Sequence, residues 1–289
     1  MKFPRILFPP IIIFTALCWM PTAASAQSIL NSDSGFAILG GTGITNTGPT
    51  DIMSGNVGST AITGFNPAGV VTNGGVIISD PAVITPAQTD LTHVSAKLAL
   101  MPSTADLSDQ DLGGMKLLPG VYTFTGSATL ALSTNLTLDA NNQINPVWVF
   151  QISFTLTTGA NANIIMTNTS VAPGSDEGIY WDIGTGATFG ANDQIIGNFL
   201  AGTAITFGAG TNGSGRALAQ TINTLADNNF DSAPGASASG WDSGLRYSNT
   251  GSLIPVPEPA AFLWLAPLSA MSFVIWRRRF KPRQNCEQT

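Results

Sequence analysis

Apolar and polar residues alternate through most of this chain, and the alternating runs are short. "VYTFT" (121–125), "NLTLDA" (135–140), "VWVFQI" (147–152), "NIIM" (163–166), "GIYWDIG" (178–184) and "NFLAG" (198–202) lie between clusters of Gly, Asn, Asp and Ser. A period of two between turn residues predicts half-buried β-strands. The run from Val147 to Ile152 is almost continuously apolar, as in a strand covered on both faces, and is the expected docking place for a helix. One stretch alone has helical spacing. In "TPAQTDLTHVSAKLALM", Leu91, Val94, Leu98 and Met101 form a single apolar stripe. Thr85 as N-cap, Pro86 as the first helical residue and Gln88 completing a capping box predict a helix over 86–101, closed by Pro102.

A longer period overlies the alternation. "TGATFG" (185–190), "TAITFG" (203–208) and "TINTLA" (221–226) are spaced at eighteen residues. At that offset Trp181, Phe199 and Ala217 correspond, as do Ile183, Ala201 and Ala219, and Thr185, Thr203 and Thr221. So do Thr188, Thr206 and Thr224, followed by Phe189, Phe207 and Leu225. A short period with apolar residues at fixed phase predicts a β-solenoid, each coil stacking on the last. Eighteen residues suit a three-sided coil. "FQISFTLTTG" (150–159) joins the register at an offset of thirty-one, placing Thr157 over Thr188. The extra residues include "SVAPGSDEG", taken as a loop inserted between coils. Before Asn135 the register is not held.

With Phe189, Phe207 and Leu225 inside, strand alternation turns Thr188, Thr206 and Thr224 outward, and likewise Thr157 with Thr155 beside it. Their neighbours Gly186, Gly190, Ala204 and Gly208 are small and uncharged. The expected surface is a flat Thr ladder with one rung about every 4.8 Å. Its methyls limit the freedom of water, its hydroxyls anchor water, and β-branching fixes the rotamers in advance. Thr is also simply a good exposed strand residue, so the pattern alone leaves both readings open.

Charge narrows the partners. Between Gln27 and Pro255 the basic residues are Lys97, Lys116, Arg216 and Arg246, against fifteen acidic ones. Nucleic acid and anionic membrane are poor partners for such a surface. Catalysis by a secreted β-solenoid needs clustered carboxylates, often with Lys or Arg. Here the carboxylates are scattered through turns, where Asp serves the backbone. Asp176 and Glu177 are adjacent but fall in the inserted loop, and His93, the one His, falls on the helix's polar side. Arg216 is expected to cap a carbonyl or pair with an Asp at a coil corner. Neither an enzyme, nor a metal site, nor a cofactor is expected.

The two ends read differently. Lys2 and Arg5, an apolar run to Met20 and Ala24-Ser25-Ala26 form a secretory signal with cleavage between Ala26 and Gln27, the work of signal peptidase. Cys18 and Cys286 both lie in the end segments, so no disulfide is expected in the core. Residues 231–255 are expected to be a flexible linker. From Ala260 to Trp276 no charge occurs, and this run would just cross a bilayer as a helix, with Arg277, Arg278 and Arg279 held in the cytoplasm. Together with Pro257, Glu258 and Pro259, this segment resembles the PEP-CTERM sorting signal of exopolysaccharide-producing Gram-negative bacteria. That resemblance implies an exosortase-type processing enzyme, transient membrane anchoring, and a final place at the cell surface or outside the cell.

The core also resembles a known family. "GFAILGGTGITNTGPT" (35–50), "LLPGVYTF" (117–124), "VWVFQI" and "GSGRALA" (213–219) are similar, in order, to stretches of the microbial ice-binding β-solenoid proteins. The resemblance implies a mainly β fold, a discontinuous right-handed three-sided β-solenoid with one long α-helix packed alongside, over residues 27–230. It also implies that water ordered on a flat face merges with ice, which makes Thr155, Thr157, Thr188, Thr206 and Thr224 the candidate site residues. A structural or adhesive protein of the exopolysaccharide matrix could use the same scaffold.

Overall fold

The computed structural model describes residues 28–65, 69–131, 133–232 and 240–256. The fold is mainly β, built from parallel sheets and one helix. The alternating runs become the strands Gly120–Phe124, Asn135–Asp139, Val147–Ile152, Asn163–Thr167, Gly178–Ile183 and Gln194–Ala201. They pair with the equivalent strand of the next coil, so Trp181 aligns with Phe199 and Phe199 with Ala217. The inserted loop falls between Asn163–Thr167 and Gly178–Ile183, as its composition indicates. The register also continues where the sequence loses it. Gly120–Phe124 pairs with Trp148–Ile152, and Ala128–Leu130 with Leu156–Thr158.

Two sheets carry the stack. One has seven strands, in the order Ala128–Leu130, Leu156–Thr158, Ala187–Phe189, Ile205–Phe207, Ile222–Leu225, Gly43–Asn46 and Ile62–Thr63. The other has fifteen strands and bends, because Gln194–Ala201 and Asn212–Ala219 run through a corner at Gly197 and Gly215. Both glycines have positive φ, 113° and 128°. A Cβ on Gly215 would sit 2.1 Å from the Gly197 carbonyl oxygen, so neither the angle nor the space admits another residue. The order of the coils departs from the order of the chain. The N-terminal strands Phe36–Gly40 and Gly43–Asn46 stack on Asn212–Ala219 and Ile222–Leu225, making a seam between chain segments far apart in sequence.

Aromatic rings fill the interior. Phe150 stacks on Trp181 at 3.8 Å between centroids, and Trp181 on Phe199 at 5.6 Å. Phe189 and Phe207 stack at 5.1 Å and, with Leu225, are buried in the same cluster, as the eighteen-residue register requires. Each such buried side chain contributes about 2–3 kcal/mol of apolar burial.

The helix spans Pro81–Leu98 and so begins five residues before the expected start at Pro86. Asp80, not Thr85, is the N-cap: its carboxylate accepts the Ala82 N–H at 2.9 Å, and Pro81 takes the first position. Pro86 lies inside the helix and removes one backbone hydrogen bond. The added turn is held by Ile84, buried with Ala87, Leu91, Val94 and Leu98. Met101 lies beyond the last turn and is only partly buried. This stripe packs on Leu39, Val121, Val149, Tyr180, Leu200 and Leu218, so Val147–Ile152 is covered by the helix as its apolar run indicates. Gln151 ties the helix end, its amide donating to the carbonyls of Leu98 at 2.7 Å and Met101 at 2.9 Å.

The expected flexible linker is, in its described part, folded. Trp241 and Leu245 are buried, and Leu245–Tyr247 pairs antiparallel with Leu253–Pro255. Tyr247 donates to the Ile29 carbonyl at 3.2 Å and stacks on His93 at 6.0 Å. Four apolar anchors among Ser, Gly and Asn suffice to fix this hairpin, although the composition reads as a linker. Ala26, Gln27, Pro257, Glu258, Pro259, Arg277, Arg278 and Arg279 lie outside the described residues. Among the described residues no helix is long and apolar enough to cross a membrane.

Candidate functional site

The seven-stranded sheet carries one Thr per strand at the same outward position. Strand pairing aligns Thr129 with Thr157, Thr157 with Thr188, Thr188 with Thr206 and Thr206 with Thr224. It then crosses the seam, aligning Thr224 with Thr45 and Thr45 with Thr63. Six of these rungs are exposed and Thr224 is half-buried. Thr157, Thr188, Thr206 and Thr224 are the rungs expected from the sequence. Thr129, Thr45 and Thr63 are not, because one precedes the recognisable register and two reach it only through the seam.

A second Thr row runs beside the first. Thr203 N–H donates to the Thr185 carbonyl, Thr221 N–H to Thr203, and Thr42 N–H to Thr221, at 2.8–2.9 Å. Thr60 follows, its hydroxyl donating to the Gly41 carbonyl at 3.1 Å. Five successive coils thus present Thr-x-x-Thr: "TGAT", "TAIT", "TINT", "TGIT" and "TAIT". The last two were visible in the sequence as the same motif, and only their place in the stack was not. Thr155 belongs to neither row. It is exposed and donates to the Ser127 hydroxyl at 2.8 Å, in the row that Gly186 and Ala204 continue. Phe154, 55 % exposed, replaces Thr in the second row of that coil, and Ile222, 42 % exposed, interrupts the row of Thr155.

No charged side chain stands in either Thr row. At one end Asp111 closes the sheet: it accepts the Thr129 hydroxyl at 2.8 Å and the N–H groups of Gly113 and Ala131. Among the described residues the hydroxyls of Thr45, Thr157, Thr188, Thr206 and Thr224 have no protein partner and face water. The corner behind the rungs is pinned by buried Asp193, which accepts from the Thr158 hydroxyl and from the N–H groups of Ala162 and Gly190. Burial pushes the Asp193 carboxyl pKa up, and these donors pull it back. Rigid β-branched rungs on a pinned sheet can hold water in a fixed array without reorganising.

The remaining ionisable candidates are structural. Arg216 is buried and donates to the carbonyls of Ser34 and Gly240 and to Asn198 Oδ1, with Asp242 at 3.5 Å. Both alternatives expected of it, capping and pairing, hold together. Glu177 is buried and accepts the Gly174 N–H at 2.8 Å, which fixes the inserted loop. His93 is exposed on the helix's outer side. Among the described residues no group of three His, Cys, Asp or Glu is placed to hold a metal.

The chain as a whole resembles known proteins. Residues 38–231 match the family described as Ice-binding-like. An ice-binding protein of Nostoc sp. (strain HG1) is 38 % identical over 278 residues, covering 94 % of this chain and 95 % of that protein. The crystal structure of an ice-binding protein from the Antarctic ascomycete Antarctomyces psychrotrophicus superposes with a TM-score of 0.63 at 33 % identity, over 71 % of this chain and 97 % of the other. That of an ice-binding protein from an Antarctic biological consortium does so at 0.63 and 32 %, over 73 % and 95 %. With more than half of its length matched by the family and a relative 38 % identical over nearly all of it, this chain belongs to the ice-binding-like family.

Proposed function

We propose that this protein binds ice through the outward Thr rows of the seven-stranded sheet, acting as an antifreeze or recrystallisation inhibitor and not as an enzyme. The observation that carries the reading is the unbroken ladder of seven Thr rungs crossing the seam, uncharged and with most of its hydroxyls free for water. We take the coil to be a right-handed solenoid with three sides, of which the helix covers one and the ladder occupies another. Of the site residues, Thr157, Thr188, Thr206 and Thr224 serve as rungs together with Thr129, Thr45 and Thr63, and Thr155 as a flanking contact.

Export and surface placement complete the reading: cleavage at Ala26–Gln27, sorting through Pro257, Glu258 and Pro259 and the Arg277–Arg279 cluster, then display at the cell surface or release. The alignment with the Nostoc protein leaves fewer residues uncovered than either end segment contains, so the likeness reaches into both ends. The deciding experiment measures ice recrystallisation inhibition and thermal hysteresis of the exported protein. Activity at micromolar concentration is expected. Its absence from a folded protein would leave the matrix-adhesion role as the use of this scaffold.

A further inference from the structure

Behind the first Thr row lies an inward row that is apolar in every coil but one. Strand pairing aligns Ala128, Leu156, Ala187, Ile205, Asn223, Ile44 and Ile62, and Asn223 is fully buried among them. Its position is particular. Ile222–Leu225 is the last strand before the seam, and Gly43–Asn46, which stacks on it, comes from the other end of the chain. The Asn223 amide donates to the Leu39 carbonyl at 2.7 Å, while its Oδ1 has no protein partner. A buried acceptor without a partner is unfavourable, so an apolar residue would suit the row's burial better. The chemistry that Asn adds here is the bond to Leu39.

Leu39 is the second-last residue of Phe36–Gly40, separated only by Gly40 from the turn that delivers the N-terminal rungs. Gly41 and Thr42 form it, and a Cβ on Gly41 would lie 2.1 Å from the Gln220 carbonyl oxygen, so the turn is pressed against the neighbouring coil. At its end, the N–H groups of Thr42 and Gly43 both donate to the Thr221 carbonyl, at 2.8 and 3.2 Å. One buried side chain thus adds, from inside, to the strand pairing that sets Thr42 beside Thr221 and Thr45 beside Thr224. We infer that Asn223 is a positioning residue for the ice face: it fixes the register across the seam, so that rungs from the two chain segments form one continuous array. A one-residue slip there would turn Thr45 inward and halt the ladder at Thr224.

The inference rests on the Thr rows being the ice face, and its test separates the two. Asn223→Ile, which copies the neighbouring rows, and Asn223→Ser, too short to reach Leu39, are made in the full chain. Amide exchange at Thr42 and Gly43 should rise about tenfold or more, while exchange at Phe207 and Gly208 stays as in the parent. Hysteresis should fall to the level of a Thr45→Lys variant, and adding Thr45→Lys to Asn223→Ile should cost nothing more. Unchanged exchange at the turn, an equal rise along the whole stack, or additive losses in the double variant would each overturn the inference. A parent protein without ice activity would sink the ice reading alone, since the exchange measurement still decides whether Asn223 holds the seam. If Asn223→Ile does not fold, Asn223→Ser carries the same comparison.

Discussion

Two strand stacks of this protein share a backbone and differ in what they show outward. Under the helix the outward residues are Leu39, Val121, Val149, Tyr180, Leu200 and Leu218. On the seven-stranded sheet the equivalent rank is Thr at every rung. Inward, both ranks are largely apolar and feed the same core. A coil therefore specifies its shape with inward residues and its coverings with outward ones. Branched apolar side chains call for a protein element, and Thr with small neighbours accepts water. The helix is what the first stack needs for burial, and a regular water layer is what the second can carry.

The comparison breaks most visibly on the helix side. Leu200→Asp would bury a carboxylate between sheet and helix, and a loss of about 3 kcal/mol or more in urea unfolding is expected. On the open side the balance reverses. Thr206→Lys sets a strongly hydrated ammonium on a long stem at a central rung, so hysteresis and recrystallisation inhibition should fall at least about tenfold, while stability changes by no more than about 0.5 kcal/mol. If Thr206→Lys keeps full activity, the ice face lies elsewhere on the molecule.

Acid distinguishes the two sides as well. On the helix side, burial raises the Asp33 carboxyl to about 8 and that of Asp182 to about 6. Both folded values lie above the unfolded carboxylate, so the folded chain keeps protons that the unfolded chain releases. The stabilisation is complete below about pH 4 and is lost as pH rises through about 6 for Asp182 and about 8 for Asp33. Thermal melts from pH 4 to 9 should fall accordingly, and Asp33→Asn should flatten the upper part of the curve. The Thr rows hold no titrating group, so ice activity of the folded protein should not follow. The smallest effect is expected at Thr129→Val, whose hydroxyl already serves Asp111: about 1 kcal/mol of stability at most, with nearly full activity.

How much could be seen in the sequence follows from contiguity. Coils that succeed one another at eighteen residues revealed Thr188, Thr206 and Thr224 and the stacked Phe189 and Phe207, because local repetition and spatial stacking coincide there. Thr157 survived an inserted loop because "FTLTTG" still matches. Thr45 and Thr63 did not survive the seam: no periodicity links residue 63 to residue 224, and only the shared Thr-x-x-Thr hinted at it. Asn223 carries no signal in the sequence, since its bond to Leu39 depends on a neighbour brought close only by the fold. Pro86 misled the helix start because it satisfies the first-turn rule locally, while Asp80 and Pro81 satisfy it as well with Ile84 to bury. The hairpin after Trp241 escaped because its anchors are few and its surroundings rich in Gly and Ser.

The hairpin has a consequence for how the molecule can be held. In two successive coils the chain leaves the helix-covered strand for the Thr strand, turns, and comes back through a bend at Gly197 or Gly215. Near that bend Asp242 bridges to Gly178, the Trp241 carbonyl accepts from Ile179 N–H and the Asn198 amide, and Val256 N–H donates to Gly244. The hairpin is thus riveted to the corner that the Thr strands do not touch. A pull on the C-terminus enters the stack through Gly178, Asn198 and Arg216 and leaves the Thr strands unloaded. A load applied at Val256 would therefore be taken up at this corner first and not by the Thr strands.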